Sequence, residues 1–229
     1  MPVAPAATVE QAGDSLVHVC FCSDDKDLRP LAVAMNSTLA TARNPSLIVL
    51  HLVTSPEQAP SFEAALRSVL PLGSHLEALV TFRGSSGARK VLKSPFNFAP
   101  FYLESFLAAG KPKTASSPRR LIYLDTDVVL TSDIQELNEL DLKGLPAAAV
   151  EDCSQQFDLY MDFKELQKLD LVKKGLNPKD CVFNRGVFVM DVLRWKELRI
   201  TEEIEEWMAR YRNSKKDIYK FGVSQPPWL

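Results

Sequence analysis

Long apolar runs are missing from this chain of 229 residues. No stretch approaches the roughly eighteen uninterrupted apolar residues that mark a transmembrane helix, so the sequence predicts no membrane segment. Residues 1–15 are small and polar, without the basic start and apolar core of a secretory signal. These absences predict a flexible lead-in over residues 1–15, in a protein that is either cytosolic or targeted by a segment outside this chain.

Neither sign of charge dominates, because the chain has 27 Lys and Arg residues and 29 Asp and Glu residues. The near balance excludes the broad basic footprint of proteins that bind nucleic acid or anionic membranes. Cysteine is scarce too, and four cysteines are too few for a disulfide scaffold. Cys20 and Cys22 are predicted to be buried. Cys153 and Cys181 lie near predicted strand ends, and a disulfide between them is an open alternative in an oxidising compartment.

The nine glycines do not form a phosphate-binding loop. A first strand is predicted over residues 16–22, followed by the polar turn 23–27 and a helix that starts near Pro30. The turn carries neither a dinucleotide-binding fingerprint nor a P-loop. Strand, turn and helix together form a half-unit of a doubly wound α/β sheet, whose ligands sit beyond the carboxyl ends of the strands.

The segment Leu121–Leu130 is the most informative part of the sequence. Four apolar residues, typical of a buried central strand, lead into Asp125-Thr126-Asp127, and three apolar residues follow. Alternation along an extended backbone predicts both carboxylates on one side, with Thr126 facing away. Two hard oxygen ligands on one side form half of a site for Mg2+ or Mn2+. The simpler interpretation, in which these acids cap the next turn or pair with Arg119 and Arg120, stays open.

Strands and helices are predicted to alternate along the rest of the chain. Further strands are predicted over residues 46–53, 76–82, 145–150 and 182–191, and helices over residues 97–108 and from a cap at Thr201. The strand over 145–150 is predicted to end in Glu151-Asp152. Asn184-Arg185-Gly186 is predicted to interrupt the strand over 182–191, since a glycine within a strand often marks a bulge or a close backbone approach.

Polar groups are predicted at three strand ends of one sheet. They are Asp24 with Asp25, Asp125 with Asp127, and Asn184 with Arg185. This convergence predicts a ligand site, because a strand-end acid often binds a nucleotide base or ribose and a carboxylate pair can hold a cation at a diphosphate. The alternative for Asp24, Asp25 and Asp27 is capping of the following helix. The alternative for Arg185 is a surface salt bridge.

Several motif segments follow one another along the chain. They are Cys22-Ser23-Asp24-Asp25, Ser94-Pro95-Phe96-Asn97-Phe98-Ala99-Pro100-Phe101-Tyr102-Leu103, Arg120-Leu121-Ile122-Tyr123-Leu124-Asp125-Thr126-Asp127, Ser132-Asp133-Ile134-Gln135-Glu136-Leu137, Cys181-Val182-Phe183-Asn184-Arg185-Gly186-Val187, and Trp195-Lys196 with Arg199-Ile200-Thr201. In this order they resemble glycosyltransferase family 8, and most of all its eukaryotic glycosyltransferase 8 domain-containing and plant galacturonosyltransferase-like proteins. The resemblance implies a GT-A-like α/β fold for nucleotide-diphospho-sugar transfer, with a mostly parallel central sheet flanked by helices. This domain is predicted over residues 16–229, incomplete at its C-terminus.

The resemblance also implies an activity and a site. It implies a retaining hexosyltransferase that moves a hexose or uronic acid from a UDP-sugar to a glycan or protein-linked acceptor, in the Golgi lumen. Mn2+, or Mg2+, would be held by Asp125 and Asp127, with Asn184 and Arg185 as the other catalytic residues. The residues implied at the UDP-sugar are Cys22, Ser23, Asp24, Asp25, Lys26, Lys93, Asn97, Thr126 and Gly186.

Two departures from the family pattern bear on activity. Pro100 stands where family members usually carry an arginine that faces the donor, and Lys93 or Arg89 are candidates to replace its charge. The family's later His-x-x-Gly-x-x-Lys-Pro-Trp element, which supplies a third metal ligand and a diphosphate contact, would follow Leu229. An inactive relative that binds a sugar nucleotide or a partner is therefore a competing interpretation.

A phosphatase of the haloacid-dehalogenase type is a third interpretation. Asp125-x-Asp127-x-Val129 after an apolar strand also resembles the first motif of those enzymes. In that case Asp125 would be the nucleophile and Asp127 the general acid. That motif normally opens its domain, whereas several strands and helices precede it here.

Overall fold

A six-stranded mixed sheet forms the centre of the computed structural model, which describes residues 16–81, 95–109, 118–168, 177–213 and 218–220. The strands are β1 (Val17–Cys22), β2 (Ile48–Thr54), β3 (His75–Thr81), β4 (Arg120–Leu124), β5 (Ala147–Gln156) and β6 (Cys181–Asp191). They lie in the order β3-β2-β1-β4-β6-β5. The first four are parallel, whereas β6 runs antiparallel to both β4 and β5. The predicted, mostly parallel central sheet is confirmed.

Helices connect the strands. They are α1 (Arg29–Thr41), α2 (Ala59–Val69), α3 (Leu103–Ala109), α4 (Gln135–Asn138), α5 (Phe157–Tyr160), α6 (Phe163–Lys168), α7 (Val192–Glu197) and α8 (Ile200–Asn213), with 3-10 helices at Pro45–Leu47 and Pro95–Tyr102. Pro30 lies in the first turn of α1, as predicted, where its missing N–H costs no hydrogen bond. None of the helices in the described part of the chain has the length and apolar character needed to cross a bilayer.

The sheet is covered on both faces, which explains the continuous apolar runs of its central strands. On one face, Val19 and Phe21 of β1 pack in the same cluster as Met35 of α1. On the other face, Cys20 of β1 lies in a cluster with Phe101 and with residues of α7 and α8. A strand buried on both sides can present polar side chains to a ligand only where it ends. The carboxyl ends of β1 and β4 are therefore the places where this fold can form a site.

The register between β4 and β6 decides which residues of β6 reach the end of β4. Tyr123 lies opposite Phe188, and Leu124 lies opposite Val187. On the other side of β6, pairing with β5 jumps from Ala149–Phe188 to Val150–Asn184. The irregularity predicted at Asn-Arg-Gly is thus present as a register shift. The prediction that these residues interrupt the strand is wrong, because β6 continues through them and Asn184 pairs with Val150 of β5.

Two helix predictions need correction. The segment predicted as a helix over residues 97–108 begins as a 3-10 helix, and α-helical geometry starts only at Leu103. Pro100 lies inside the 3-10 segment and, without an N–H, cannot donate the i to i−4 bond of an α-helix. Thr201 is not the cap of α8, which starts one residue earlier. Its hydroxyl instead accepts a bond from Trp195 Nε1 and donates one to the Phe101 carbonyl, both 2.9 Å long.

Strand β5 is longer than the sequence suggested. It was expected to end at Glu151-Asp152, but it continues to Gln156 because the backbone keeps pairing with β6 through Asp152–Val182 and Gln156–Cys181. No residue of β5 is fully buried, so no apolar alternation marks its second half. Cys153 of β5 and Cys181 of β6 form a disulfide, as the open alternative proposed.

Candidate active site at the carboxyl ends of β1 and β4

The ends of β1 and β4 lie side by side. The two strands are parallel neighbours, with Cys20 of β1 opposite Tyr123 of β4. Two residues further on, Cys22 ends β1 and Asp125 follows β4. Burial raises the pKa of the Cys22 thiol well above its ordinary value, and the Cys20 and Asp125 charges add to the rise. Asp125 thus acts electrostatically on the end of β1.

Asp125 is held against β6 by its backbone. Its N–H donates a 2.7 Å hydrogen bond to the Gly186 carbonyl, which extends the β4–β6 ladder by one step. The side chain then lies over the same glycine. A Cβ at position 186 would be 2.7 Å from Oδ2 of Asp125 and 3.1 Å from Oδ1 of Asn184. Only glycine leaves space for this carboxylate, which confirms the predicted close approach at Gly186.

Tyr123 is a residue of the site that the sequence reasoning missed. Its hydroxyl donates a 2.6 Å hydrogen bond to Oδ1 of Asp125. The ring is 5% exposed and stacks on Phe188 at 5.1 Å. Burial raises the phenol pKa well above its ordinary value, with smaller contributions from Cys22 and Asp125, so the group stays a donor. The signal available was its position two residues before Asp125, on the same face of a strand.

Asn184 lies beside this carboxylate, since both approach the same face of Gly186, and Arg185 is the next residue of β6. Oδ1 of Asn184 accepts a 2.8 Å bond from the Gly186 N–H, which turns the exposed side chain back over the strand. Arg185 is partly buried. Its positive charge opposes the upward pKa shifts that burial imposes on Tyr123 and Tyr160. The Arg185 charge therefore acts on Tyr123 of β4 and on Tyr160 of α5.

Asp127 is related to Asp125 in a different way from the prediction. The strand ends at Leu124, and the chain turns at Thr126 and Asp127. Alternation along an extended backbone therefore does not apply, and the reasoning that put both carboxylates on one side for that reason is wrong. Asp127 is exposed, whereas Asp125 and Thr126 are partly buried.

At the end of β1, the acidic residues have two kinds of role. The Asp24 carbonyl accepts a 2.9 Å bond from Gln58 Nε2, and the Asp24 side chain is exposed. Oδ1 of Asp25 accepts the Asp27 N–H, and Asp27 in turn accepts the backbone N–H and the guanidinium of Arg29 at the start of α1. The capping alternative is therefore wrong for Asp25, which bonds within the turn, because the N-cap residue of α1 is Leu28 and no side chain caps it. Ser23 is buried, and its N–H donates to the Val53 carbonyl of β2.

The arginines considered as partners for the Asp125-Thr126-Asp127 carboxylates make other contacts. Arg119 lies 4.0 Å from the Asp191 carboxylate. Arg120 donates to the backbone carbonyls of Asn138 and Leu140. These contacts give both arginines a role at the amino end of β4, one strand length away from Asp125.

The donor set suits a hard divalent cation. Oδ2 of Asp125 lies over a glycine that leaves it uncovered by a side chain, and Asp127 offers a second, exposed carboxylate. Carboxylate oxygens suit Mn2+ and Mg2+, which commonly complete their shells with waters and substrate phosphates. Among the described residues, a group of three close metal-ligating side chains occurs at Glu151, Cys153 and Cys181, where the disulfide occupies both sulfurs.

Some predicted site residues fall outside what the structure describes. Lys93 and Arg89 lie outside the described residues. Asn97 is described only by its backbone, in the 3-10 helix. Pro100 lies in the same helix and is buried. Lys26 is exposed in the turn between β1 and α1.

Solved glycosyltransferase structures share this arrangement of strands. The galactosyltransferase LgtC, solved in complex with donor and acceptor sugar analogs, superposes with a TM-score of 0.68 at 19% identity, over 92% of this chain and 69% of that one. Apo mouse xyloside xylosyltransferase 1 superposes with a TM-score of 0.56 at 18% identity, over 92% of this chain and 78% of its own. The predicted GT-A-like fold is confirmed.

Sequence comparison gives the family. In Arabidopsis thaliana, probable galacturonosyltransferase-like 10 is 36% identical over 223 residues, covering 94% of this chain and 58% of the relative. Probable galacturonosyltransferase-like 5, from the same plant, is 33% identical with the same two coverages. The chain thus spans less than two thirds of the length of these relatives. The profile named Glycosyl transferase family 8 matches residues 18–228, almost the whole sequence, and this chain therefore belongs to that family.

Proposed function

We propose that this chain carries the donor site of a retaining glycosyltransferase that moves a hexose or a uronic acid from a UDP-sugar to a glycan or protein-linked acceptor. The observation that carries the proposal is the meeting of Asp125, Asn184 and Gly186 at one sheet edge, in a member of glycosyl transferase family 8. The names of the relatives, probable galacturonosyltransferase-like proteins, favour a uronic acid as the transferred sugar.

The uridine is assigned to the end of β1. Cys22 and Ser23 end this strand beside β2, and Asp24, Asp25 and Lys26 follow as exposed polar side chains. The bond from Gln58 to the Asp24 carbonyl fixes the backbone there. Strand-end carboxylates of this kind bind ribose hydroxyls or base N–H groups in other nucleotide-binding folds. Lys93 and Asn97 complete the proposed donor contacts.

The diphosphate is assigned to Asp125, Thr126 and Asp127, through Mn2+ or Mg2+. The cation would neutralise the diphosphate and favour its departure as a leaving group. The chain's own contribution is orientation, because the Asp125 carboxylate is fixed by Tyr123 and by the β4–β6 ladder before any ligand binds. A preorganised carboxylate loses little conformational freedom on binding.

The transferred sugar is assigned to β6. The Asn184 amide oxygen already accepts the Gly186 N–H, so its amide nitrogen is the group proposed to donate to a sugar hydroxyl. Arg185 contributes positive charge beside the same strand. The acceptor hydroxyl would attack from the face that the diphosphate leaves, which preserves the anomeric configuration. Proximity and orientation of the reacting groups supply the rate enhancement in such a step.

The disulfide between Cys153 and Cys181 supports a location in the secretory pathway. Disulfides persist in oxidising compartments and are rare in the cytosol. We accordingly propose the Golgi lumen, where glycans are extended, as the place of action. An acceptor glycan, rather than a nucleic acid, is the proposed partner, since the formal charge of −2 gives no polyanion-binding footprint.

A second candidate is a domain that binds the sugar nucleotide without turnover. The observation that favours it is Pro100, which is buried in a 3-10 helix where family members usually carry an arginine. Proline can supply neither positive charge nor a hydrogen-bond donor to the donor substrate. A phosphatase of the haloacid-dehalogenase type is not proposed, because the chain belongs to a glycosyltransferase family.

Calorimetric titration with UDP, with and without Mn2+, tests the proposed site. We expect the wild type to bind UDP in a Mn2+-dependent way and Asp125→Ala to lose this dependence. Asp141→Ala is the control, since Asp141 is exposed and caps only its own turn through Lys143 N–H. Absence of Mn2+-dependent binding in the wild type would overturn the proposed function. Release of UDP from UDP-sugars, absent in Asp125→Ala, would distinguish the transferase from the binding domain.

A further inference from the structure

One carboxylate oxygen of Asp125 is already occupied in the protein. The Tyr123 hydroxyl donates to Oδ1 across 2.6 Å, a short distance typical of a bond to a charged acceptor. Oδ2 lies on the other side of the carboxylate, over Gly186. The two oxygens of this group therefore have different surroundings before any ligand is bound.

The tyrosine cannot easily give up this contact. Its ring is 5% exposed and stacks on Phe188, the residue opposite it in the β4–β6 ladder, with 28° between the ring planes. A packed aromatic ring in a strand has no space to change rotamer. At the other end of the contact, the Asp125 backbone is fixed by its bond to Gly186. Donor and acceptor are both held by the same pair of strands.

We propose that Tyr123 is a positioning residue that makes Asp125 a one-oxygen ligand, offering Oδ2 to the cation while the phenol keeps Oδ1. This inference rests on the proposed function, because it concerns the cation of the same site. Near-octahedral cations such as Mn2+ and Mg2+ accept single carboxylate oxygens, whereas Ca2+ takes six to eight oxygens and often both of one carboxylate. The phenol takes one of the two lone pairs of Oδ1 and so competes with two-oxygen binding, which disfavours Ca2+ relative to Mn2+.

A purely structural role for the phenol makes a different prediction. A buried hydroxyl needs a hydrogen-bond partner, and Asp125 would then serve only to satisfy it. Tyr123→Phe removes the hydroxyl together with its need for a partner, while the ring and its packing on Phe188 stay. On that interpretation the variant changes stability and leaves the affinity for both cations unaltered.

Calorimetric titration of Mn2+ and of Ca2+ into the chain with saturating UDP separates these roles. We expect Tyr123→Phe to bind Mn2+ about tenfold more weakly, since loss of a hydrogen bond to a metal ligand commonly costs 10–100-fold in affinity. Ca2+ affinity should fall less or rise, so the ratio of the two affinities decreases several-fold. Circular dichroism and the thermal midpoint without ligand verify that the variant is folded.

Tyr102→Phe is the matched control. Its hydroxyl also bonds to a carboxylate, Glu205 on α8, at 3.0 Å, but not in the site. The control removes the same chemical contact and is expected to keep both cation affinities. Phe188→Leu is the second variant, used if Tyr123→Phe does not fold, because it keeps the phenol and loosens its ring. It should lower the ratio of Mn2+ to Ca2+ affinity in the same direction.

The outcomes separate this inference from the function on which it rests. Wild type that binds no Mn2+ with UDP overturns both. Wild type that binds, with an unchanged ratio of Mn2+ to Ca2+ affinity in Tyr123→Phe, overturns the positioning role alone. An equal loss for both cations has the same meaning, because a general weakening of the site does not discriminate between them.

Discussion

Asp125 and Gly186 are in contact twice: the Asp125 N–H donates to the Gly186 carbonyl at 2.7 Å, and the Asp125 carboxylate occupies the space where a side chain at 186 would begin. A Cβ only 2.7 Å from a carboxylate oxygen is closer than van der Waals contact allows. The strand therefore needs a glycine here for a reason other than flexibility. The missing side chain makes room for the carboxylate.

Substitution of Gly186 by alanine should displace the carboxylate. We expect Gly186→Ala to bind Mn2+ with UDP about tenfold more weakly, the loss typical of a disturbed metal ligand. The sheet itself should persist, since alanine suits an extended strand at least as well as glycine. Ala149→Val is the control, because it enlarges an exposed residue of the neighbouring strand β5 and leaves Asp125 untouched. Unchanged Mn2+ affinity in Gly186→Ala would show that the Asp125 carboxylate can bind the cation from another position.

Thr201 should contribute to stability through its hydroxyl. It accepts from Trp195 Nε1 and donates to the Phe101 carbonyl, and so ties α7, α8 and the 3-10 helix together. In Thr201→Val both partners lose their bond while Trp195, 2% exposed, stays buried. A hydrogen bond contributes about 0.5–1.5 kcal/mol net, so loss of both bonds should lower the unfolding free energy in urea denaturation by about 1–3 kcal/mol.

Thr201→Ser is the control for this loss, because it keeps the hydroxyl and removes only a methyl group. It should lose much less than the valine variant, although the two differ from threonine by a similar volume. Equal losses in the two variants would mean that packing, and not hydrogen bonding, is what Thr201 provides.

The disulfide should stabilise the protein by linking the antiparallel strands β5 and β6. Cys153 and Cys181 are 28 residues apart, and a bridge over such a loop stabilises a domain by about 2–4 kcal/mol, mainly by restricting the unfolded chain. The double variant Cys153→Ser, Cys181→Ser should unfold at lower urea concentration than the wild type. A dithiol reductant should lower the wild-type midpoint to that of the variant and leave the variant unchanged. An effect of the reductant on the variant would point to Cys20 or Cys22 instead.

Alkaline pH should destabilise the fold through Tyr102. Burial, and then the bond to Glu205, raise the pKa of this phenol to about 12 in the folded protein, above its ordinary value of 10.0. A folded pKa above the unfolded one means that the stabilisation is fully present below pH 10 and is lost as pH rises towards 12. Burial raises the pKa of Tyr219 as well, in the same sense.

Urea midpoints at neutral pH and at about pH 11 measure this effect. The wild-type midpoint should fall with pH, and Tyr102→Phe should start lower and fall less steeply. Tyrosinate absorbance, followed during the titration, should show one group fewer titrating late in the variant. Parallel pH dependence of the two proteins would contradict the role given to Tyr102.

Elements with strong apolar patterns could be predicted from the sequence. Strands β1 and β4 are buried on both faces, and their continuous apolar runs predict the start of each within one residue. Pro30 fixed the start of α1. These strands and this helix start depend on residues that are close in sequence, so they can be predicted from the local sequence. The family resemblance added the fold, which the structure confirms.

The features that were missed depend on neighbours distant in sequence. The exposed end of β5 has no apolar pattern and is a strand only because β6 pairs with it. The turn after Asp125 is formed by backbone geometry that no side-chain alternation reveals. The hydroxyl of Thr201 meets Phe101, which is one hundred residues earlier in the chain. The apolar run predicts that Tyr123 is a core residue, which is true of its ring. Its hydroxyl, however, bonds to Asp125 in the site.

The register between β4 and β6 has a consequence for how this protein can fail. Tyr123 faces Phe188, so Asp125 reaches Gly186. A slip of one residue along this ladder would turn every β6 side chain to the opposite face and put either Arg185 or Val187 where the glycine is needed. Such a molecule would keep its strands, helices and much of its spectrum, yet have no room for the carboxylate. Formation of the strands is therefore not enough for a competent site. The register between β4 and β6 must also be the one that brings Asp125 to Gly186.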